Sequence, residues 1–497
     1  MLSRVFAVAA VVLGIVVIAR MALGPEVGFR SPMNVESAFG VAVVAGLVCG
    51  ARAGGKGWTD GWTGRDAGLA GATVLLIALL FGRASGFGFL SDDFVLVKLA
   101  GGFSGHYREV FSRGGGDGFF RPLGYVSLAW TALFAGTNPA AWHWTGFALH
   151  MATSVMVMVL ARWLGFSRAG AWFAGALFAV HGSRPEAVVW MAARFDLVAG
   201  LLAVVSLAAF VRAWEDGGWQ WWTLGLGAAA GAMLSKESAY ALPLMVGIFV
   251  AGQAATWSRR VRFLLPVAGL AAVLFAYRWT RVGGIGGYVT AEGRAQALSV
   301  SVVSVAKALG LRLWAVLFFP VDWDWGIGAW LAVAAVVYVV GWGAVVWGGR
   351  ADRRLVWIGV GMALAATVPP VQQLLIGGDL EKARLLYLPS VGFCLMAAAA
   401  VEGAGPRVRV GAMTAVLVFQ AAALQHNLGA WAYAAGKAET VCEAAAKCSI
   451  VPAGVPRTLH GVYFFANGLP ECAGMKRGAA AGEACSLKWD GELEELK

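Results

Sequence analysis

Charge is scarce in this sequence: 13% of its 497 residues are Asp, Glu, Lys or Arg, against 59% that are hydrophobic. A soluble chain of this length needs far more charge to cover its surface, so a soluble globular protein is excluded. Strict apolar–polar alternation is also missing, which argues against a membrane β-barrel. No nucleotide-binding fingerprint occurs. GGIGG at 283–287 is an isolated glycine cluster, read as a flexible outer loop, so a nucleotide-linked donor has no support. Charges inside the apolar runs are few and no internal repeat is evident, which disfavours a transporter or lipid flippase. No cysteine pair has CxxC spacing, and His460 is the only histidine beyond residue 427. A zinc site in the tail therefore ranks below disulfides.

What the chain does have is repeated apolar runs of roughly 17–22 residues and a mean hydropathy of +0.70. These predict an all-α polytopic membrane protein. Spans are expected near 5–22, 37–51, 67–82, 142–161, 169–181, 195–211, 219–234, 239–256, 263–279, 329–348, 355–376, 385–401 and 410–426, about thirteen transmembrane helices in all. The first follows Arg4 without a convincing cleavage site and is expected to be retained. The net charge of +11 comes from Lys and Arg in short loops between spans, so no nucleic-acid partner is expected.

Alternation places the basic loops (Arg52/Lys56/Arg65, Arg162/Arg168, Arg212, Arg259/Arg260/Arg262, Arg350/Arg353/Arg354, Arg407/Arg409) on the cytoplasmic side. The outer side then receives 83–141, 182–194, 235–238, 280–328, 377–384 and the tail from 427. Residues 297–319, bearing Lys307 and Arg312, are apolar enough to span, yet a span there would invert every later loop. They are read as a re-entrant or interfacial helix. Three regions follow: 1–66 with extra spans, a membrane domain 67–426 with outer loops 83–141 and 280–328, and a small extracytoplasmic C-terminal domain 427–497. Cys49 and Cys394 lie in apolar segments as packing residues. Cys442, Cys448, Cys472 and Cys485 lie in the tail, where two disulfides fit an oxidising compartment. The local pairs Cys442–Cys448 and Cys472–Cys485 are favoured, flanking an expected strand in VYFFA, 462–466.

Polar residues crowd the outer loops. Asp92 and Asp93 stand within a few residues of a span end, between Leu90 and Phe94, where a carboxylate is poorly solvated. Such an acid suits a general base for an acceptor hydroxyl, or a ligand for a divalent cation given a second oxygen. No cofactor is otherwise implied. Asp92 is slightly preferred as base because it comes first after the span. Arg121, Arg194 and Arg384 suit a phosphate clamp, because guanidinium matches phosphate oxygens bidentately. His181, Glu186, Asp196, Lys236, Glu237, Asp322, Asp324 and Tyr387 complete the candidate site.

The ordered set resembles a known family. The sequence carries DD (92–93), FRPL (120–123), H-x4-E-A-V from His181, R-x-D-L from Arg194, LSKE (234–237), FPVDWDW (319–325) and R-x-LYLPS-x-GF from Arg384. Across about 67–426 this is similar to the membrane part of transmembrane and tetratricopeptide-repeat O-mannosyltransferase-like proteins. More broadly it resembles the C-type superfamily of multispanning glycosyltransferases that use polyprenyl-phosphate sugars. It departs at Gly182, Arg184 and Ala383, where the family carries Pro, His and Glu, and a cysteine-bearing tail replaces the repeats. The resemblance implies a C-type glycosyltransferase-like helical bundle with its acidic motif facing outward. It also implies a polyprenyl-phosphate-linked sugar donor, an acceptor protein or glycolipid, and inverting transfer at the periplasmic face of a bacterial inner membrane. A transporter or flippase, and a non-catalytic membrane scaffold, are the competing readings.

Overall fold

The computed structural model describes residues 62–102, 118–287, 301–348, 351–374, 376–447, 454–476, 486–489 and 493–496. The expected spans 5–22 and 37–51 lie outside the described residues, as do Cys448 and Cys485.

The architecture is an all-α bundle. Its helices are α1 (Gly64–Phe81), α2 (Asp92–Gly102), α3 (Pro122–Ala135), α4 (Pro139–Trp163), α5 (Arg168–Val180), the short α6 (Arg184–Val188), α7 (Arg194–Asp216), α8 (Trp219–Met233), α9 (Leu242–Ala251) and α10 (Trp257–Val282). There follow α11 (Val302–Lys307), which runs through a π turn (Ala308–Arg312) into α12 (Leu313–Phe318), then α13 (Ala329–Gly348), α14 (Arg353–Thr367), α15 (Pro389–Glu402), α16 (Pro406–Lys447) and α17 (Leu469–Lys476). Among the described residues, five segments are long and apolar enough to cross a membrane: Gly64–Gly86, Pro139–Trp163, Met191–Asp216, Trp257–Val282 and Pro406–Ala446. Shorter apolar helices, Pro122–Ala135, Arg168–Val180, Glu237–Ala251, Ala329–Val345 and Pro389–Glu402, stand among them.

Local chemistry sets the helix ends. Thr63 and Asp66 form a reciprocal capping box at α1. Asn138, Ser167, Thr256 and Asp352 cap α4, α5, α10 and α14. Pro122, Pro139 and Pro389 begin their helices, where a missing N–H costs nothing. Small residues then allow close helix contact. A Cβ on Gly392 would lie 2.3 Å from the Ala363 nitrogen, and one on Gly359 would lie 2.5 Å from that of Met396. Backbone meets backbone between α14 and α15, a packing mode that suits helices lacking a hydrophobic drive in lipid.

The described basic loops gather at one end of the bundle. Arg168 pairs with buried Asp66 at 2.8 Å, and the Ser167 N–H donates to Glu402. Arg259 donates to the Trp214 carbonyl and Arg354 to that of Gly252. At the other end the structure departs from simple loops. The stretch 83–141 contains helices α2 and α3. The region 297–319 carries the α11–α12 rod with its π turn, and His181 Nε2 holds the Leu317 carbonyl at that rod's end. The expected last span 410–426 does not stop at 426. Helix α16 runs on to Lys447, about 63 Å at 1.5 Å per residue.

The tail folds back from that helix. Strands β1 (Thr458–Leu459) and β2 (Val462–Tyr463) form an antiparallel hairpin, so VYFFA contributes a shorter strand than expected. A second hairpin pairs β3 (Ser486–Trp489) with β4 (Leu493–Leu496). The disulfide joins Cys442 to Cys472, which corrects the local pairing Cys442–Cys448. The reason is helical continuity: from Cys442 the chain stays in α16 to Lys447, while α17 returns to pack on α16 and brings Cys472 to it. Cys394 is buried without a partner cysteine.

Candidate functional site

The two adjacent acids diverge. Ser91 takes a positive φ of 47°, and Asp92 and Asp93 open α2 from this tight bend. The Asp93 carboxylate turns inward, accepting the Leu90 N–H at 3.1 Å and the Ala192 N–H at 2.8 Å. Burial raises its pKa well above the usual carboxylate value. Asp92 faces a cavity of about 720 Å³ at this end of the bundle and accepts a 2.6 Å hydrogen bond from Asn467 Nδ2.

Four cations line the same cavity: Arg121, Lys236, Arg278 and Arg384. Arg121, at the N-cap of α3, binds Glu237 at 2.7 Å and lies 4.0 Å from the centre of the Phe119 ring. Arg278, near the end of α10, is 3.6 Å from the same carboxylate and donates to the Ile285 carbonyl. Burial raises the Glu237 pKa, but Arg121 and Arg278 outweigh it and hold the value below the ordinary one. Lys236 pairs with Asp196 at the start of α7, and burial brings its pKa down to about 8. Arg384 pairs with Glu186 of α6 and stacks over Trp190 at 4.7 Å and Tyr463 at 5.2 Å. Trp190 and Tyr463 themselves stack at 4.6 Å. Four cations thus share three carboxylates, Glu237, Asp196 and Glu186, leaving one net positive charge before Asp92 is counted.

Other sequence candidates sit elsewhere. Arg194 is buried outside the cavity lining, its Nη2 donating to the Trp142 carbonyl and Thr145 Oγ1 at the α4 N-terminus. His181 lies between Ser183 and the Leu317 carbonyl. The Tyr387 hydroxyl meets His150 Nδ1 at 3.0 Å inside the core. Asp322, with the Asp324 N–H donating to it, borders a separate cavity of about 20 Å³, room for about one water. Burial pushes Asp322 up to about 7. Among the described residues no three His, Cys, Asp or Glu side chains converge as a metal site. With Asp93 turned inward, Asp92 and Asp93 do not face one another as a cation pair.

Arg278 and Asn467, both lining the cavity, were not among the sequence candidates. Arg278 falls inside the expected span 263–279, and an ionisable residue there is itself a site signal. Asn467 gives no such signal: it stands 375 positions from Asp92 in an unremarkable polar tail.

Comparison with known proteins bears on this geometry. No known family model matches the chain, and no solved structure matches it. Among curated proteins, the chain is 30% identical over 193 residues to protein O-mannosyl-transferase Tmtc1 of Drosophila melanogaster, covering 37% of this chain and 22% of that protein. It is 28% identical over 289 residues to protein O-mannosyl-transferase Tmtc2 of the same organism, covering 51% and 30%. It is 29% identical over 136 residues to the human TMTC2 protein O-mannosyl-transferase, covering 26% and 16%. The matched part is therefore less than a third of each relative. The chain is an all-α, multi-pass membrane protein with partial similarity to glycosyltransferases named for O-mannosyl transfer.

Proposed function

We propose that this chain is a membrane glycosyltransferase of the C-type kind. It moves a sugar, mannose by its relatives' names, from a polyprenyl-phosphate donor to a protein hydroxyl at the extracytoplasmic face of a bacterial inner membrane. One observation carries the reading: a single cavity at the end away from the basic loops combines one outward carboxylate, Asp92, with four cations, two of which, Arg121 and Arg278, share the single carboxylate of Glu237. A polyprenyl-phosphate sugar is a phosphodiester with one negative charge, which suits that shared corner. The gathering of the described Arg-bearing loops at the other end supports the outward orientation.

In the proposed reaction the acceptor oxygen attacks the anomeric carbon from the face opposite the phosphate, which gives inversion. The carbon–oxygen bond to phosphate breaks, and its electron pair leaves with the polyprenyl phosphate. The hydroxyl proton passes to Asp92. Charge on the phosphate grows as the bond breaks, so Arg121, Arg278, Lys236 and Arg384 bind the transition state more strongly than the ground state. Arg384, Glu186, Lys236, Asp196 and Glu237 fix this set, while Asp93 shapes the bend that aims Asp92. Arg194, His181, Tyr387, Asp322 and Asp324 support the surrounding packing.

The test is to incubate the purified protein in lipid nanodiscs with polyprenyl-phosphate mannose and Ser/Thr-rich peptides, reading both products by mass spectrometry. Glycosylated peptide together with free polyprenyl phosphate is expected. Intact donor across a panel of sugars, with folded protein, overturns the reading.

A further inference from the structure

The tail is built into the cavity wall at the one carboxylate left free to act. The Ser91 N–H donates to the Phe464 carbonyl at 2.9 Å, and the Asn467 N–H donates to Ser91 Oγ. Phe465 stacks on Phe94 with rings 9° from parallel. Gly468 has φ +84°, and a Cβ there would lie 2.3 Å from the Ser91 carbonyl oxygen, so only glycine lets the tail approach this closely. The disulfide from Cys442 to Cys472 ties the segment to α16 on its other side. These contacts converge on the bend that carries Asp92, and the Asn467 amide reaches the Asp92 carboxylate.

We infer that Asn467 is a positioning residue for Asp92. This rests on the transferase reading above and assigns the tail a part in it. An ionised carboxylate only accepts hydrogen bonds, so the Asn467 NH₂ must be the group presented to it. It occupies Asp92 Oδ1, which fixes the carboxylate plane and leaves Oδ2 to take the acceptor proton. Asp93 cannot substitute, because both its oxygens are held by backbone N–H groups. Asn467 is itself exposed at the cavity rim, so its side chain contributes little to folding. Its contact is therefore best explained by aim rather than by stability.

The experiment uses the full chain in nanodiscs, polyprenyl-phosphate mannose and a Ser/Thr-rich peptide. Asn467→Ala and the near-isosteric Asn467→Leu are expected to lower kcat by about 10²-fold, the scale of a misaimed reacting group. KM for the donor and thermal stability should stay at wild-type values. In an Asp92→Asn background neither change should lower the residual turnover further, because the two residues act as a unit. Wild-type kcat in both Asn467 variants overturns the assignment, and so does an equal loss in the Asp92→Asn background. Full activity of Asp92→Asn alone overturns instead the base reading beneath it. An inactive Asp92→Asn with fully active Asn467 variants removes only the positioning role.

Discussion

Glu237 serves two guanidiniums at once: Arg121 binds it through Nε at 2.9 Å and Nη2 at 2.7 Å, and Arg278 lies 3.6 Å away. One carboxylate cannot neutralise both, so this corner of the cavity keeps positive charge for an anion. Loss of one charge-assisted contact to phosphate costs about 1.5–3 kcal/mol, or about 10–150-fold. Arg121→Ala and Arg278→Ala should each weaken donor binding by about that factor, read as KM for polyprenyl-phosphate mannose. Unchanged KM in both would remove the phosphate from this corner.

The divergence of the paired acids separates two effects that the DD motif merges. Asp92→Asn should lower turnover about 10²–10⁴-fold, the usual loss of a general base, with folding intact. Asp93→Asn puts an NH₂ against a backbone donor, so it should destabilise by about 1–3 kcal/mol, visible as a lower Tm in detergent. The reverse pattern would exchange their roles.

Lys236 gives a pH signature. Its pKa is lowered from 10.5 to about 8, so the cation is present below about 8 and lost above it. Donor affinity should fall as pH rises through about 8. Folding should respond in the opposite sense: between about 8 and 10.5 the unfolded chain binds more protons than the folded one, so stability rises with pH there. Lys236→Arg, which stays charged throughout, should abolish the affinity limb near 8. An affinity limb that persists in Lys236→Arg would assign it to another group.

Non-reducing peptide mapping should recover Cys442 linked to Cys472. The bond closes a separation of 30 residues, which in the chain-entropy model stabilises by about 3–4 kcal/mol. Cys442→Ser should lower Tm accordingly. Recovery of a Cys442–Cys448 peptide would refute the tail geometry.

Much of the bundle was legible from residue type alone. The expected spans 142–161, 195–211 and 263–279 fall within the long helices α4, α7 and α10, because about 20 apolar residues have few other stable forms. The N-caps, the initiating prolines and the clustering of basic loops are likewise local properties. The outer segments were less legible. Helices α2 and α3 have 11 and 14 residues, too short to register against a span length of about 20 apolar residues. The run of α16 past 426 is written in alanines and a mixed polar face that a span criterion does not register.

Composition, hydropathy and motif order already dictate a lipid solvent, a helical class and the residue types able to handle a hydroxyl and a phosphate. Which of those residues meet follows from the packing of the bundle. It turned Asp93 inward onto backbone N–H groups and left Asp92 in the cavity. It directed the Arg194 guanidinium to the α4 N-terminus and brought Arg278 to the Arg121–Glu237 pair. It carried Asn467 across 375 positions to Asp92 and chose Cys472 as the partner of Cys442. The physical reason is that hydropathy and capping act over one helical turn. Pairing of buried charges depends on which helix ends converge, and that is fixed only when the bundle packs.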